Sequence, residues 1–333
     1  MNLEENMVYN LKKTTPDLLS EAACVGSSRG WLILSDHTTL TPFLFNPFTE
    51  ARIQLPSLKP EFGVSEIEED DGGRCKILCE GEDEWAFVRK GELRQSYVSR
   101  AFLIAERGGD FAVVLLCYFY TEQLLYYKTG DSEWTVFSDS GIPNRNDCFE
   151  IICNGNKLHV LAACGEIRTW DLESGYPEGE GGTGIYYSLP RGTLQRPNLN
   201  HLRDYLVQSD GEILLVARFL PEDYNRDITE EIFDVYKLDL EGKKWVEVET
   251  LGNDRSLFLG QNHSVSLSTK DLSTCMGNSI YFTHDIRIFG LYEPCEMGFY
   301  SLKDRKVSPI FEFPSETLSV FSPVPHWLIP SFC

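Results

Sequence analysis

The chain has 333 residues, and its 51 acidic against 30 basic side chains give a formal net charge of −21. So negative a surface repels phosphate backbones and argues against nucleic acid as a partner. Hydrophobic residues at 42% and charged ones at 24% mark a folded globular chain rather than a disordered one.

The opening residues, Met1-Asn2-Leu3-Glu4-Glu5, lack the basic n-region and apolar h-region of a secretory signal and the Arg-rich look of a transit peptide. A possible strand follows at Met7-Val8-Tyr9-Asn10-Leu11. Short runs of β-branched, aliphatic and aromatic residues then recur: Trp31 to Leu34, Phe43 to Phe45, Ala112 to Leu116, Leu158 to Leu161, Ile213 to Val216 and Ile280 to Phe282. Gly, Asp, Asn, Ser or Pro bound each run, the signature of strands, and no long stretch carries the i, i+3, i+4 apolar spacing of a helix. The longest apolar stretch, Phe111 to Tyr120, has ten residues, short of the roughly 20 a spanning helix needs, so no membrane span is expected. Ten cysteines, several inside apolar runs (Cys117, Cys153, Cys164, Cys275), suit a reducing compartment. The expected location is cytoplasmic or nuclear; the acidic N-terminus does not favour an organelle.

The runs repeat. Five units open on turn residues followed by a strand: Gly30 before Trp31, Gly109-Asp110 before Phe111, Gly155-Asn156 before Leu158, Asp210-Gly211 before Ile213, and Gly277-Asn278 before Ile280. In four of them a later strand ends in a bulky residue, and six residues of turn chemistry lead to another long or ring-bearing side chain or a β-branched one. These pairs are Phe45 with Arg52, Tyr127 with Trp134, Leu238 with Trp245, and Tyr300 with Val307. The spacing predicts hairpins whose bulky residues meet across the ladder. The third unit, at Trp170-Asp171-Leu172, departs from the spacing and runs into a Gly-rich stretch.

One such sheet cannot bury both its faces. Five copies, with anchors at Phe45, Tyr127, Trp170, Leu238 and Tyr300 spaced 43 to 82 residues apart, predict an all-β β-propeller of blades packed face to face. Strand-like runs at Cys75 to Cys79 and Trp85 to Val88 fall in the 82-residue gap, so the expected count is five or six blades. A single propeller domain over residues 1–333 is expected, closed by pairing of residues 7–11 with the last unit at Gly298 to Phe313, which would remove an exposed edge. A β-sandwich would leave the repeat unexplained.

The short motifs weigh lightly. Gly26-Ser27-Ser28-Arg29-Gly30 fits the letters of a nucleophile elbow, but the elbow needs a strand before it and a helix after it, and here a strand follows. Gly179-Glu180-Gly181-Gly182-Thr183-Gly184 has no strand leading in and no helix leading out to aim N–H groups at a pyrophosphate. Trp170-Asp171 is a lone WD dipeptide. Cys75 with Cys79 and Cys148 with Cys153 lack a second pair at zinc spacing. His37, His159, His201, His263, His284 and His326 are scattered, His284-Asp285 being the one adjacent pair with a carboxylate. The acidic run Glu66 to Asp71 lacks the alternating ligands of a calcium loop and reads as a solvated inter-strand loop. Asn262-His263-Ser264 is a glycosylation sequon by letter only, and Cys333 is too close to the end for prenylation. No catalytic, cofactor-binding or metal residue is assigned, no cofactor is expected, and the partner-binding residues stay unassigned.

The ordered set of segments resembles a family. Gly26 to Leu34 followed by Phe45-Asn46-Pro47-Phe48-Thr49-Glu50-Ala51-Arg52-Ile53-Gln54-Leu55-Pro56 is similar to the opening of the plant β-propeller family called domain of unknown function 295. Leu125 to Thr135 resembles its central hairpin. Tyr236 to Trp245 with Leu257-Phe258-Leu259-Gly260 and Ser264-Val265-Ser266 resembles its most recognisable block, and Asn278 to Thr283 with Pro325-His326-Trp327-Leu328-Ile329-Pro330-Ser331 resembles its end. The likeness runs from about Val8 to Phe332. It implies a propeller that usually follows an F-box, the helical motif that docks on a Skp1-type adaptor, and so serves as a ubiquitin-ligase substrate receptor; some members bind and inactivate a signalling kinase. The family offers no catalytic residues to carry across. This chain enters propeller-like sequence within its first dozen residues, which puts the ligase role in doubt. The expected function is a non-enzymatic protein-binding propeller, with a kinase among the candidate partners and a basic partner surface favoured by the charge. The alternative is a propeller enzyme of glycosidase or lactonase type with an axial carboxylate or metal site.

Overall fold

A computed structural model describes residues 22–36, 39, 41–58, 64–69, 74–79, 85–89, 98–105, 109–119, 121–136, 148–155, 157–162, 167–172, 197–222, 231–260, 263–270, 272, 275–283, 297–311 and 327–328. Strands and turns make up these residues, and no helix among them is long and apolar enough to cross a membrane.

The five repeat units are five sheets. The first has β1 (Ala22–Ser28), β2 (Trp31–Asp36), β3 (Pro42–Phe45) and β4 (Arg52–Gln54) in simple meander order. The gap that follows holds a separate three-stranded meander, β5 (Val64–Glu69), β6 (Arg74–Cys79) and β7 (Trp85–Arg89), so both runs noted there are strands. Glu66 to Glu69, expected in a loop, pair instead with β6, because an antiparallel edge strand can carry charged side chains. The second unit comprises β8 (Val98–Ala105), β9 (Phe111–Phe119), β10 (Thr121–Lys128) and β11 (Thr135–Val136), and the third β12 (Cys148–Asn154), β13 (Lys157–Ala162) and β14 (Ile167–Asp171). The fourth has β15 (Leu199–Ser209), β16 (Glu212–Pro221), β17 (Ile232–Asp239) and β18 (Lys244–Glu247).

The fifth sheet departs from the meander. Its strands are β19 (Arg255–Leu259), β20 (Val265–Ser268), β21 (Ser279–Thr283), β22 (Met297–Ser301) and β23 (Lys306–Phe311), in the order β20-β19-β21-β22-β23. β19 lies parallel to β21, with Leu257 opposite Ile280, and antiparallel to β20 on its other side. Parallel neighbours need a long crossover, which the stretch from Gly260 to Asn278 supplies while carrying β20.

Turn chemistry sets the registers. Ser28 pairs with Trp31 and Ser209 with Glu212, leaving two-residue turns at Arg29-Gly30 and Asp210-Gly211. All four turn residues have positive φ, from 49° to 82°, the combination that a type I′ hairpin turn requires. The six-residue hairpins also form as spaced in the sequence. Phe45 faces Arg52, Leu238 faces Trp245 and Tyr300 faces Val307, while the rings of Tyr127 and Trp134 sit 5.5 Å apart. Their turns close on side chains: Asn46 Oδ1 accepts from the Phe48 and Thr49 amides, and Asp239 Oδ1 from the Gly242 amide. The strand proposed at residues 7–11, and with it ring closure, lies outside the described residues.

The chain groups into two compact units, one of residues 11–151 with 171–182 and 328–333, the other of 1–10, 152–170 and 183–327. In the first, the inner strands β1 and β8 pack together around Val25, Ile33, Leu44, Ala101, Val113, Leu115 and Leu125. Trp134 seals this core, its indole N–H donating to the Pro56 carbonyl at 2.7 Å. In the second, the fourth and fifth sheets share a core of Tyr205, Val216, Phe233, Leu257, Ile280, Phe282 and Tyr300. Each fully buried aliphatic or aromatic side chain contributes about 1.5–3 kcal/mol.

Candidate partner-binding end of the sheets

Antiparallel strands reverse direction, so a meander has two kinds of end. The first-to-second and third-to-fourth turns share one, and they span two to six residues. The second-to-third connections, and the chain arriving at and leaving each sheet, share the other. There the spans within a sheet range from residue 120 alone to the ten and thirteen residues of 222–231 and 284–296.

The 222–231 and 284–296 connections together hold eight of the 51 acids but two of the 30 bases. They therefore carry −6 of the net −21.

A buried ionic node lies where two of these connections meet the second unit. Arg218 on β16 is 1% exposed. Its Nε and Nη2 donate to the two carboxylate oxygens of Glu231, each at 2.7 Å. Its Nη1 donates to the Tyr205 hydroxyl at 3.0 Å and to the Thr283 carbonyl at 3.3 Å. The guanidinium also lies 4.8 Å from the Phe282 ring centroid, within cation–π range. Glu231 is the last residue of the 222–231 connection and Thr283 the last of β21, so one side chain ties the end of one connection to the start of 284–296 on the neighbouring sheet. The sequence signal was a lone arginine inside the apolar run Ile213 to Pro221, a position that burial tolerates only with a partner. The partner, thirteen residues on and across a connection, left no local mark.

Two further buried acids have basic neighbours here. Asp204 on β15, 2% exposed, contacts His201 Nε2 at 2.8 Å across a bulge. Asp234 on β17 receives Arg305 Nη2 at 3.3 Å. The His201–Asp204 contact went unread in the sequence because the bulge brings the two together.

The motifs weighed lightly find ordinary places. Gly26 sits at the bulge of β1, where a Cβ would come within 2.2 Å of the Ala101 carbonyl oxygen on β8, and the Ser28 hydroxyl donates to the Leu103 carbonyl at 3.3 Å. Gly26 to Gly30 is therefore a close strand approach and a hairpin turn. Trp170 is buried on β14. His159 is buried, with Nδ1 2.8 Å from Thr169 Oγ1, and burial aided by Lys157 pushes its pKa down to about 4. Burial likewise lowers His263 to about 4. Burial holds the Cys117 thiol well above its ordinary range. Cys75 and Cys79 lie on β6, Cys148 and Cys153 on β12. Among the described residues no three His, Cys, Asp or Glu side chains are grouped to hold a metal ion. Gly179 to Gly184, His37, His284, His326 and Asn262 lie outside the described residues.

Known proteins share this architecture in sequence. In Arabidopsis thaliana, F-box only protein 7 is 22% identical over 99% of this chain and 78% of its own length. F-box protein KIB4 is 26% identical over 97% and 77%, and F-box/kelch-repeat protein KIB1 is 25% identical over 84% and 59%. The sequence profile described as KIB1-4 beta-propeller matches residues 1–305. With the repeat, the hairpin registers and this match in agreement, the chain belongs to the KIB1-4 beta-propeller family.

Proposed function

We propose that the protein is a non-enzymatic binding propeller that presents the acidic connections of its sheets to a basic surface on a protein partner. The acidity of two connections carries this reading: residues 222–231 and 284–296, on neighbouring sheets, hold eight acids against two bases. Such an arrangement steers a basic partner by long-range attraction. The F-box proteins among its relatives support a protein-interaction role, and the family resemblance makes a signalling kinase the first partner to test. Docking on a Skp1-type adaptor depends on an F-box.

The test is affinity purification of a tagged copy from plant cells, with co-purifying proteins quantified by mass spectrometry against an untagged control. The partner recovered is then used to measure association rates. Raising salt from 50 to 300 mM is expected to slow association about tenfold. Glu222→Gln, Asp223→Asn, Asp227→Asn and Glu230→Gln together should reproduce part of that loss at low salt. An association rate indifferent to both refutes the electrostatic reading, and enrichment of a Skp1-type adaptor with a cullin identifies a ligase receptor.

A further inference from the structure

Trp327 stands apart from three of its fellow tryptophans. Trp134, Trp170 and Trp245 are each 4% exposed and sit within or beside strands of their sheets. Trp327 is part-exposed, lies on no strand, and comes sixteen residues after the end of β23. Yet its ring is held on three sides. The indole N–H donates to the carbonyl of Leu259, the last residue of β19, at 2.7 Å. The ring meets Phe258 edge to face, centroids 5.2 Å apart at 81°. Gly260 forms the floor: a Cβ there would come 3.0 Å from Trp327 Cδ1 and 3.7 Å from Nε1, and 3.3 Å from the His263 carbonyl oxygen.

The receiving surface has its own support. Phe258 is 3% exposed and stacks on Tyr281 at 4.8 Å and 10°, and the Tyr281 hydroxyl is fixed by the Met276 amide at 2.7 Å. Flat ring, bare glycine floor and a carbonyl at the ring edge are the elements of indole recognition: an apolar slot with one placed acceptor.

We propose that Phe258, Leu259 and Gly260 form an indole-binding pocket that Trp327 fills in cis as an exchangeable ligand of the fifth sheet. The ligand class is a tryptophan-bearing peptide, and Trp327 is its occupant.

The experiment uses full-length Trp327→Ala and a fluorescently labelled synthetic peptide of residues 323–331, followed by anisotropy. The variant, with strand content checked by circular dichroism, should bind the peptide at least tenfold more tightly than the wild-type chain, whose own Trp327 competes. The same peptide carrying Trp327→Ala should bind at least tenfold less well, and adding Gly260→Val to the protein should remove binding. A folded Trp327→Ala protein that ignores the peptide overturns the proposal, as does wild-type protein that binds it equally well. Should Trp327→Ala fail to fold, Trp327→Leu replaces it, and failure of both to fold makes Trp327 core rather than ligand and also overturns the proposal. Displacement of the bound peptide by a purified partner would support the pocket and add a second occupant.

Discussion

The Arg218–Glu231 pair separates two ideas that are often merged, that a buried ion pair stabilises and that it fixes geometry. Arg218→Met removes two 2.7 Å bonds to Glu231 and the donors to Tyr205 and Thr283, leaving a carboxylate 1% exposed without its cation. Breaking such a pair from one side costs about 3–5 kcal/mol. Replacing both members, Arg218→Met with Glu231→Leu, removes the stranded charge and returns apolar volume beside Phe233 and Phe282, so the double variant should lie within about 1 kcal/mol of wild type or above it. The coupling energy between the sites is then about 3 kcal/mol or more. Urea denaturation followed by tryptophan fluorescence, with equal m-values across the four proteins, measures it. If Arg218→Met loses less than about 1 kcal/mol, or the double variant loses the sum of the singles, the desolvation argument fails.

Other outcomes follow from single contacts. Gly26→Ala sets a methyl group 2.2 Å from the Ala101 oxygen and 2.9 Å from its carbon, both backbone, so β1 and β8 must part; a loss of about 3 kcal/mol is expected. Gly109→Ala, with φ of 93° but open space around it, should lose only about 1–2 kcal/mol through backbone strain, and equal losses at the two positions in the same denaturation assay would contradict this account. Thr283 Oγ1 is buried without a hydrogen-bond partner, so Thr283→Val should be neutral or stabilise by up to about 1 kcal/mol; a melting temperature lowered by several degrees would count against it. His159 is neutral in the fold down to about pH 4, whereas the unfolded chain takes up its proton near 6.5. Stability is therefore lost as pH falls from 6.5 towards 4, by about 3 kcal/mol for this residue. His159→Gln should flatten that acid limb in urea midpoints measured from pH 7 to 4.5, and an unchanged slope would refute the assignment.

What could be read from the sequence was local. Turn residues and period-two runs fix hairpins, and for that reason Phe45 with Arg52, Leu238 with Trp245 and Tyr300 with Val307 were found as cross-strand partners from spacing alone. Contacts between neighbouring sheets obey no such spacing. Arg218 reaches Thr283 across 65 positions and Trp327 reaches Leu259 across 68, and neither link has a periodicity to betray it. Gly26 looked like a motif because it is a glycine near a serine; its reason is the backbone of a strand 75 residues later. The crossed order of the fifth sheet was missed for another reason. Leu257 to Gly260 and Ser264 to Ser266 enter the sequence reading only as parts of the family resemblance, and nothing in their composition says that they are strands or that the second lies outside the first.

That crossed order has a consequence for how the chain is made. The hairpins β21-β22 and β22-β23 join neighbours in sequence and can form without help, whereas β19 must wait until β21 exists and then slide in beside it, trailing β20 to its outer side. Non-local pairing of this kind raises contact order and slows assembly. During synthesis the residues of β19 leave the ribosome about twenty positions ahead of their partner, with Leu257, Phe258 and Leu259 uncovered in the interval. The fifth sheet is thus a point at which substitutions that leave the finished fold untouched can still lower the yield of protein.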